Sequence, residues 1–584
     1  MDRNKQEQIF STLIILMFSL LALRLLFIQI IKGPQHLRTS TEIRARLIPS
    51  TAPRGIIYDR YGKVLATSRP AYAIYILPSE LKAKEKTLKK LAQLTGLSFA
   101  DLLAKVDNAR NLFEPILVED YVPFKTIALL EEEREYLPGI SIGNKAIRYY
   151  PNGQTAAHVL GHVGEVSREE LLQSKNWGKH LRLGDIIGLS GIEKSYDQWL
   201  RGIGGGQQIE VDSRGRPIKR SQSLIPIPGQ ELYLTLDLDL QKRAEDAMGE
   251  RNGAVIIMDI NTGEVLSLVS KPSFDPNQFA GALTKKAWQD LLAKKNDPFH
   301  NRALTAYPPG STFKIVTALA SLEERIVSAT KQFFCRGFAQ YGQRRADCWM
   351  AHGQLSFFDG IVHSCNVVFF SLGLQLGIET LGRYAISCGL GSSTGIDLPL
   401  ENPGLIPTEE WKQENYKKPW YPGDSMNAGI GQGYIQTTPL QMAVLISALA
   451  SSRNSLMRPY LGRKVVAENG QEVFSNRPQE ISRLNFNPKN IDILRKALRQ
   501  SVLVGTGRAA LNDKIAIAGK TGTAEDPPRI RPHSWFVCYA PADTPRIAVA
   551  VFLEQGGHGG NTAAPIARDI LIWWNEHRQE QKEP

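Results

Sequence analysis

The sequence predicts an α/β (α+β) chain carried on a single transmembrane helix, and three observations predict it. One apolar run near the start is long enough to cross a bilayer. A stretch of short, mixed strand-like and helical pieces follows it. The second half opens on a hairpin and closes on a strand and a helix. With 584 residues and about 100 to 200 residues per domain, the chain has material for several domains and a large core, which excludes a disordered or fibrous protein. The net charge of +12, from 70 Lys+Arg against 58 Asp+Glu, suits an anionic partner such as a membrane surface or an acidic polymer. The basic residues are scattered and no zinc-finger or RNA-binding motif is present, so no nucleic-acid partner is expected.

The apolar run, "IFSTLIILMFSLLALRLLFIQII", extends from Ile9 to Ile31 and is interrupted only by Arg24. A bilayer-spanning helix needs about twenty such residues. A cleaved secretory signal has a shorter apolar region and a small-residue site after it, and no convincing Ala-x-Ala follows here. The run is therefore expected to stay as an anchor over residues 9–31 behind a tail of residues 1–8. Arg3 and Lys5 precede it while Lys32, Arg38, Arg44 and Arg46 follow it, so basic residues alone do not set the orientation.

Residues 39–224 are read as one mixed domain. "AYAIYIL" (Ala71 to Leu77) alternates as a strand does, and the charged stretches Ser79 to Leu94 and Thr126 to Leu137 read as helices. "RGIGGGQQIEVDSRGRPI" (Arg201 to Ile218) has glycines but no Lys-Ser or Lys-Thr and opens no apolar helix, so it reads as a hairpin or turn rather than a phosphate loop. His158 and His162 stand four apart without the Glu of the hydrolytic zinc motif, and ordinary packing is expected of them. Residues 225–577 read as a compact α/β domain. Gly253 to Ser270 is two strands about an Asn-Thr-Gly turn, Arg546 to Glu554 a further strand, and Ala564 to His577 a closing helix. The residues after it, 578–584, form a polar tail.

"YPPGSTFKIVTAL" sets Ser311 and Lys314 three apart, after a Pro-Pro-Gly break and at the head of an apolar helical run. If the helix starts at the serine, the two share a face, so Ser311 is either an N-cap or half of a nucleophile–base pair. "HSCN" holds Ser364 and Asn366, and "IAIAGKTGTAE" holds Lys520, Thr521, Gly522 and Thr523 at the end of an apolar strand. Each is weak alone. Together and in this order they are the signature set of penicillin-binding proteins and serine β-lactamases.

Nearly the whole chain resembles the penicillin-binding protein 2 family, the elongation-type class B D,D-transpeptidases. "APRGIIYDRYGKVLA", "RYYPNGQTAAHVLGHVGEV", "GLSGIEKSYDQWLRG", "GIGQGYIQTTPLQMA" and "SWFVCYAP" are similar to family segments. The second motif is Ser-Cys-Asn where many members have Ser-x-Asp, which removes a charge and keeps a hydrogen-bonding group. The resemblance implies an antiparallel sheet flanked by helices in 225–577, an elongated pedestal (dimerisation-type) domain in 39–224, and catalytic mass on the periplasmic or outer side of the plasma membrane. It implies cross-linking of peptidoglycan stem peptides during cell elongation, with β-lactams as inhibitors and a RodA-type glycosyltransferase and an MreC-type scaffold as partners. A division-type transpeptidase, a serine β-lactamase, or a scaffold that activates the glycosyltransferase are the alternatives. Ser311 is expected to be the nucleophile, Lys314 its base with a pKa lowered by burial and by Lys520, Ser364 a proton relay, and Asn366 a positioning group. Lys520 and the hydroxyls of Thr521 and Thr523 are expected to face the substrate carboxylate, with Gly522 leaving room for close approach. The backbone N–H groups of Ser311 and Thr523 are the implied oxyanion hole.

Cys335, Cys348 and Cys365 fall between the first two motifs together with His352. Three thiolates and an imidazole suit structural zinc, while a Cys335–Cys348 disulfide or unconnected buried thiols fit the spacing as well. Some family members resemble this chain in having a zinc site here, with Asp at times in place of Cys, so Asp347 is the substitute ligand if Cys348 is not used. Cys388 and Cys538 read as core residues. The acyl-transfer chemistry itself asks for no cofactor.

Overall fold

The structure is a computed structural model and describes residues 3–32, 45–109, 112, 115–167, 169, 171, 181, 185–211, 217–280, 296–525 and 531–578. The polar tail beyond Arg578, Arg38 and Arg44 after the anchor, and the tip of the 201–218 hairpin lie outside them. The apolar run forms helix α1 (Arg3–Leu26), which continues through a short π turn to Ile31. Its side chains from Ile9 onward are exposed, as an anchor within lipid requires, and Ile9–Ile30 is long and apolar enough to cross a membrane.

The chain divides into two compact units, one of Met1–Pro53, Pro70–Ile147 and Gly202–Pro228, the other of Arg54–Arg69, Arg148–Arg201 and Gly229–Pro584. In the first, the strand through Ala71–Ile76 pairs antiparallel with Ile116–Val122, and helices Lys84–Thr95, Phe99–Asp107 and Phe124–Glu132 surround a core of Ile74, Ile76, Leu88, Leu91, Leu102 and Leu130. Ser98 caps the second of these helices by accepting from Asp101 N. The glycine-rich segment forms the expected hairpin, Gly205–Val211 against Pro217–Leu224, with Ala45–Ser50 added as a third antiparallel strand.

The second unit is built on five antiparallel strands, β1 (Gly253–Asp259), β2 (Val265–Lys271), β3 (Ala518–Ala524), β4 (His533–Ala540) and β5 (Ile547–Leu553), in the order β2-β1-β5-β4-β3. β1, β4 and β5 are buried on both faces, which is why they read as unbroken apolar runs. Val255, Ile257, Phe536, Val549 and Val551 face a layer made by α2 (Leu238–Met248) and α8 (Ala563–Arg578). The alternate residues, among them Ile256, Trp535, Val537, Ala550 and Phe552, share the larger core on the opposite face. That core holds α3 (Lys314–Glu323), α4 (Phe357–Val362), α5 (Asn366–Ser387), α6 (Pro439–Ala450) and α7 (Pro488–Leu503). Helix α6 starts sharply because Thr438 and Gln441 cap each other's backbone and Pro439 needs no N–H partner. β3 is thus an edge strand beside the helical layer, and this edge carries Lys520-Thr521-Gly522-Thr523.

Candidate active site

Ser311 does not cap a helix. It lies in a 3-10 turn, Gly310–Thr312, and α3 begins only at Lys314, with no side-chain cap on either element. The turn is clamped from two sides. Gly310 N donates to Gly431 O at 2.9 Å, and Trp535 Nε1 donates to Pro308 O at 3.0 Å. Two glycines permit this seat: a Cβ on Gly431 (φ +71°) would stand 2.3 Å from Gly310 O, and one on Gly522 would stand 2.9 Å from Thr312 Cγ2 and 3.0 Å from Pro309 O. The room expected at Gly522 for a substrate is therefore filled by the turn that bears Ser311. The glycine is needed because β3 and this turn touch backbone to backbone.

Lys314 is fully buried, and its Nζ gathers the second motif. It donates to Asn366 Oδ1 at 2.7 Å, to Ser364 O at 2.9 Å and to Ser364 Oγ at 3.3 Å, with the Phe369 ring 5.2 Å away. Ser364 reaches it from a left-handed backbone (φ +54°) between α4 and α5, a conformation that costs a non-glycine residue about 1–2 kcal/mol. Burial pushes the Lys314 ammonium from 10.5 down to about 7, against the nearby Cys348 charge, which holds it up. Lys520, also fully buried, is lowered well below its ordinary value, first by burial and then by the Lys314 charge. The expected push of Lys520 on Lys314 thus falls the other way: Lys520 gives up its proton first, while Lys314 is still charged, so the repulsion is felt at Lys520. Thr523 Oγ1 accepts from Gly559 N at 3.4 Å, and Thr521 Oγ1 lies 2.7 Å from Thr506 Oγ1.

The cysteine cluster is contiguous with this site. Cys335 and Cys365 are buried, Cys348 and His352 half-buried, and one donor atom from each lies within 4.8 Å of all the others. All five cysteines are free thiols, so the Cys335–Cys348 disulfide is not formed. The donor set fits a tetrahedral ion: Cys348 Sγ to His352 Nδ1 is 3.7 Å, near the edge of about 3.6 Å that zinc–sulfur and zinc–nitrogen bonds of ordinary length imply. Cys348 carries the thiolate character, because the Cys365 thiol and the N–H groups of Met350, Asn366 and Val367 donate to it, and Cys365 is pushed up in turn. Asp347 is no part of the set. Its carboxylate is exposed and pairs with Arg345, while its backbone O accepts from Asn366 Nδ2 at 3.3 Å. Asn366 N also donates to Cys348 Sγ at 3.2 Å, so one residue touches both the cluster and Lys314. Cys388 and Cys538 are core residues. His158 bonds Pro298 O at 2.9 Å, His162 bonds Ser190 Oγ at 2.8 Å, and both pack against Phe274, with burial holding each near about 4.

A hydroxyl on a clamped turn, a buried lysine of lowered pKa one helical step away, and a second lysine on a sheet edge define a serine acyltransferase of the penicillin-binding type. Residues 253–572 match the penicillin binding protein transpeptidase domain and residues 49–234 the penicillin-binding protein dimerisation domain. The peptidoglycan D,D-transpeptidase MrdA of Acinetobacter baumannii is 33% identical over 96% of this chain and 86% of its own length. Penicillin-binding protein 2 of Helicobacter pylori, solved in complex with MreC, superposes with a TM-score of 0.79 at 28% identity, over 91% of this chain and 99% of that one. A chain of a peptidoglycan synthase complex that coordinates polymerization and crosslinking gives 0.71 at 29% identity, over 99% of each. The chain belongs to the penicillin-binding protein 2 (MrdA) family of elongation-type peptidoglycan D,D-transpeptidases. Its acyl transfer needs no cofactor.

Proposed function

We propose that Ser311 is the acylated nucleophile of a reaction that cross-links peptidoglycan stem peptides. The observation that carries the assignment is the buried Lys314 Nζ bonded to Ser364 and Asn366, on the helix that opens three residues after Ser311. Neutral Lys314 takes the Ser311 proton as Oγ attacks the D-Ala-D-Ala carbonyl. The backbone N–H groups of Ser311 and Thr523 hold the oxyanion. The proton passes through Ser364 to the leaving amine; an amine of a second stem peptide then attacks the acyl carbon, the bond to Ser311 Oγ breaks, and the proton that amine loses returns through Lys314 to Oγ. Lys520, Thr521 and Thr523 hold the terminal carboxylate, and β-lactams acylate Ser311 by entering as substrates.

Residues 1–8 are assigned to the cytoplasm, 39–224 to a pedestal and 225–577 to the transpeptidase domain outside the membrane, with 578–584 as a tail. Cys335, Cys348, His352 and Cys365 would hold a zinc ion that braces the segment leading to Ser364, a structural service with no part in the acyl transfer. An MreC-type scaffold and a RodA-type glycosyltransferase are the assigned partners, supported by the assemblies in which the similar chains occur. The test is intact mass of the detergent-solubilised protein after incubation with a labelled penicillin. A stable adduct mapping to Ser311 and lost in Ser311→Ala is expected; no adduct on folded protein overturns the assignment.

A further inference from the structure

The loop between α7 and the 3-10 turn Arg508–Ala510 has no place in the scheme above, yet it meets both walls of the site. A Cβ on Gly505 would stand 2.3 Å from Val362 O, so the loop presses on the end of α4, two residues before Ser364. On its other side, a Cβ on Gly560 would stand 2.6 Å from Thr506 O. Thr506 is held between these contacts, half-exposed, with its Oγ1 2.7 Å from Oγ1 of the buried Thr521.

A carboxylate only accepts hydrogen bonds, so a hydroxyl serves it only when its proton points outward. Two hydroxyls at this separation share one proton between them and leave one. If Thr506 donates to Thr521, the Thr521 proton is free for the anion; if Thr521 donates, the Thr506 proton is free. In either direction the pair presents one O–H, polarised by its neighbour. Thr523 has the same arrangement by another route, since Gly559 N occupies a lone pair of its Oγ1 and leaves its proton to give. We propose that Thr506 is a positioning residue for carboxylate recognition, forming with Thr521 a hydroxyl pair that holds one O–H toward the terminal carboxylate of the substrate. This rests on the assignment of Lys520, Thr521 and Thr523 as the carboxylate site.

The test compares acylation of the full-length protein by a penicillin and by its methyl ester, in which the carboxylate is blocked, using intact mass to obtain second-order rates. Thr506→Val removes the hydroxyl and keeps the shape. It is expected to slow the free acid about tenfold, the worth of one charge-assisted hydrogen bond, and to leave the ester rate unchanged. Thr506→Ser is expected to restore the acid rate to within about threefold. Thr506→Ala serves in place of the valine variant if the latter melts early. Equal slowing of acid and ester, or no slowing of either, overturns the proposal. Wild-type protein that neither compound acylates overturns the transpeptidase assignment itself, which separates the two failures.

Discussion

In the proposed role of base, Lys314 has first to be without its proton, and burial favours that neutral form. With its pKa near about 7, the neutral base is scarce in acid and abundant in mild alkali. The acylation rate is therefore expected to rise with pH through about 7 and then level off, as followed with a labelled penicillin across a buffer series. Asn366→Asp replaces an amide oxygen 2.7 Å from Nζ with a negative charge. An opposite charge at that range raises a lysine pKa by about one unit or more, so the rising limb should move to higher pH and the rate at pH 7 should fall about tenfold. A limb that stays near 7 in the variant would remove Lys314 from the role of base. The meeting of Lys314 with Ser364 and Asn366 was legible because three short motifs in this order resemble a known signature set, not because any one of them signals it alone. Thr506 was not. Its sequence surroundings are those of a turn, and its closeness to Thr521 is created by two chain segments meeting in space.

Elements matter here through their approach distances. The Ser311 turn sits where it does because Gly431, Gly310 and Gly522 let three segments touch backbone to backbone. Gly431→Ala adds a Cβ at 2.3 Å from Gly310 O and 2.4 Å from Phe313 Cβ, in a left-handed conformation that alanine resists. The expected outcome is a loss of about 1–3 kcal/mol of stability, read by denaturant titration, with acylation slowed more than tenfold because the turn must retreat. The cysteine cluster makes a second prediction for this scale. Elemental analysis should find one zinc per chain. Cys348→Ser should lose it and lower the melting temperature, whereas Asp347→Ala, outside the cluster, should keep it. The Gly253–Ser270 hairpin, the terminal strand and the closing helix were readable from apolar runs and turn residues. The start of α3 was not, since a serine before an apolar run signals a cap equally well, and the clamps on Gly310 and Pro308 that hold Ser311 in a separate turn come from distant segments.

At the scale of the molecule, the unit that carries the site is assembled from stretches far apart in sequence, and a buried ion cluster ties two of them, Arg54–Arg69 and Arg148–Arg201. Arg54 Nε meets Glu193 Oε2 at 2.5 Å and its second nitrogen meets Asp197 Oδ1 at 2.8 Å. Arg148 Nε meets Glu193 Oε1 at 2.5 Å, and its NH1 donates to Gly55 O at 2.6 Å. Burial alone would raise the Glu193 pKa, but Arg148 and Arg54 outweigh it and hold the carboxylate below its ordinary value. The "APRGIIYDRYGKVLA" segment, which reads from sequence only as a family likeness, thus has a physical task in supplying one of these cations. Because two arginines share one carboxylate with no solvent to compensate, Glu193→Gln leaves both guanidinium groups buried with a single remaining acid, Asp197. The expected cost is about 3–5 kcal/mol, seen as an earlier urea midpoint for the transition that tryptophan fluorescence reports. The folded-state pKa of Glu193 lies below the unfolded one, so its contribution is present above the unfolded pKa and is lost as pH falls through the folded one. The wild-type midpoint should therefore drop on acidification through that range, and the Glu193→Gln midpoint should depend on pH less steeply there. Parallel pH profiles for the two proteins would mean that the cluster is neutralised in some other way and that Glu193 is not its centre.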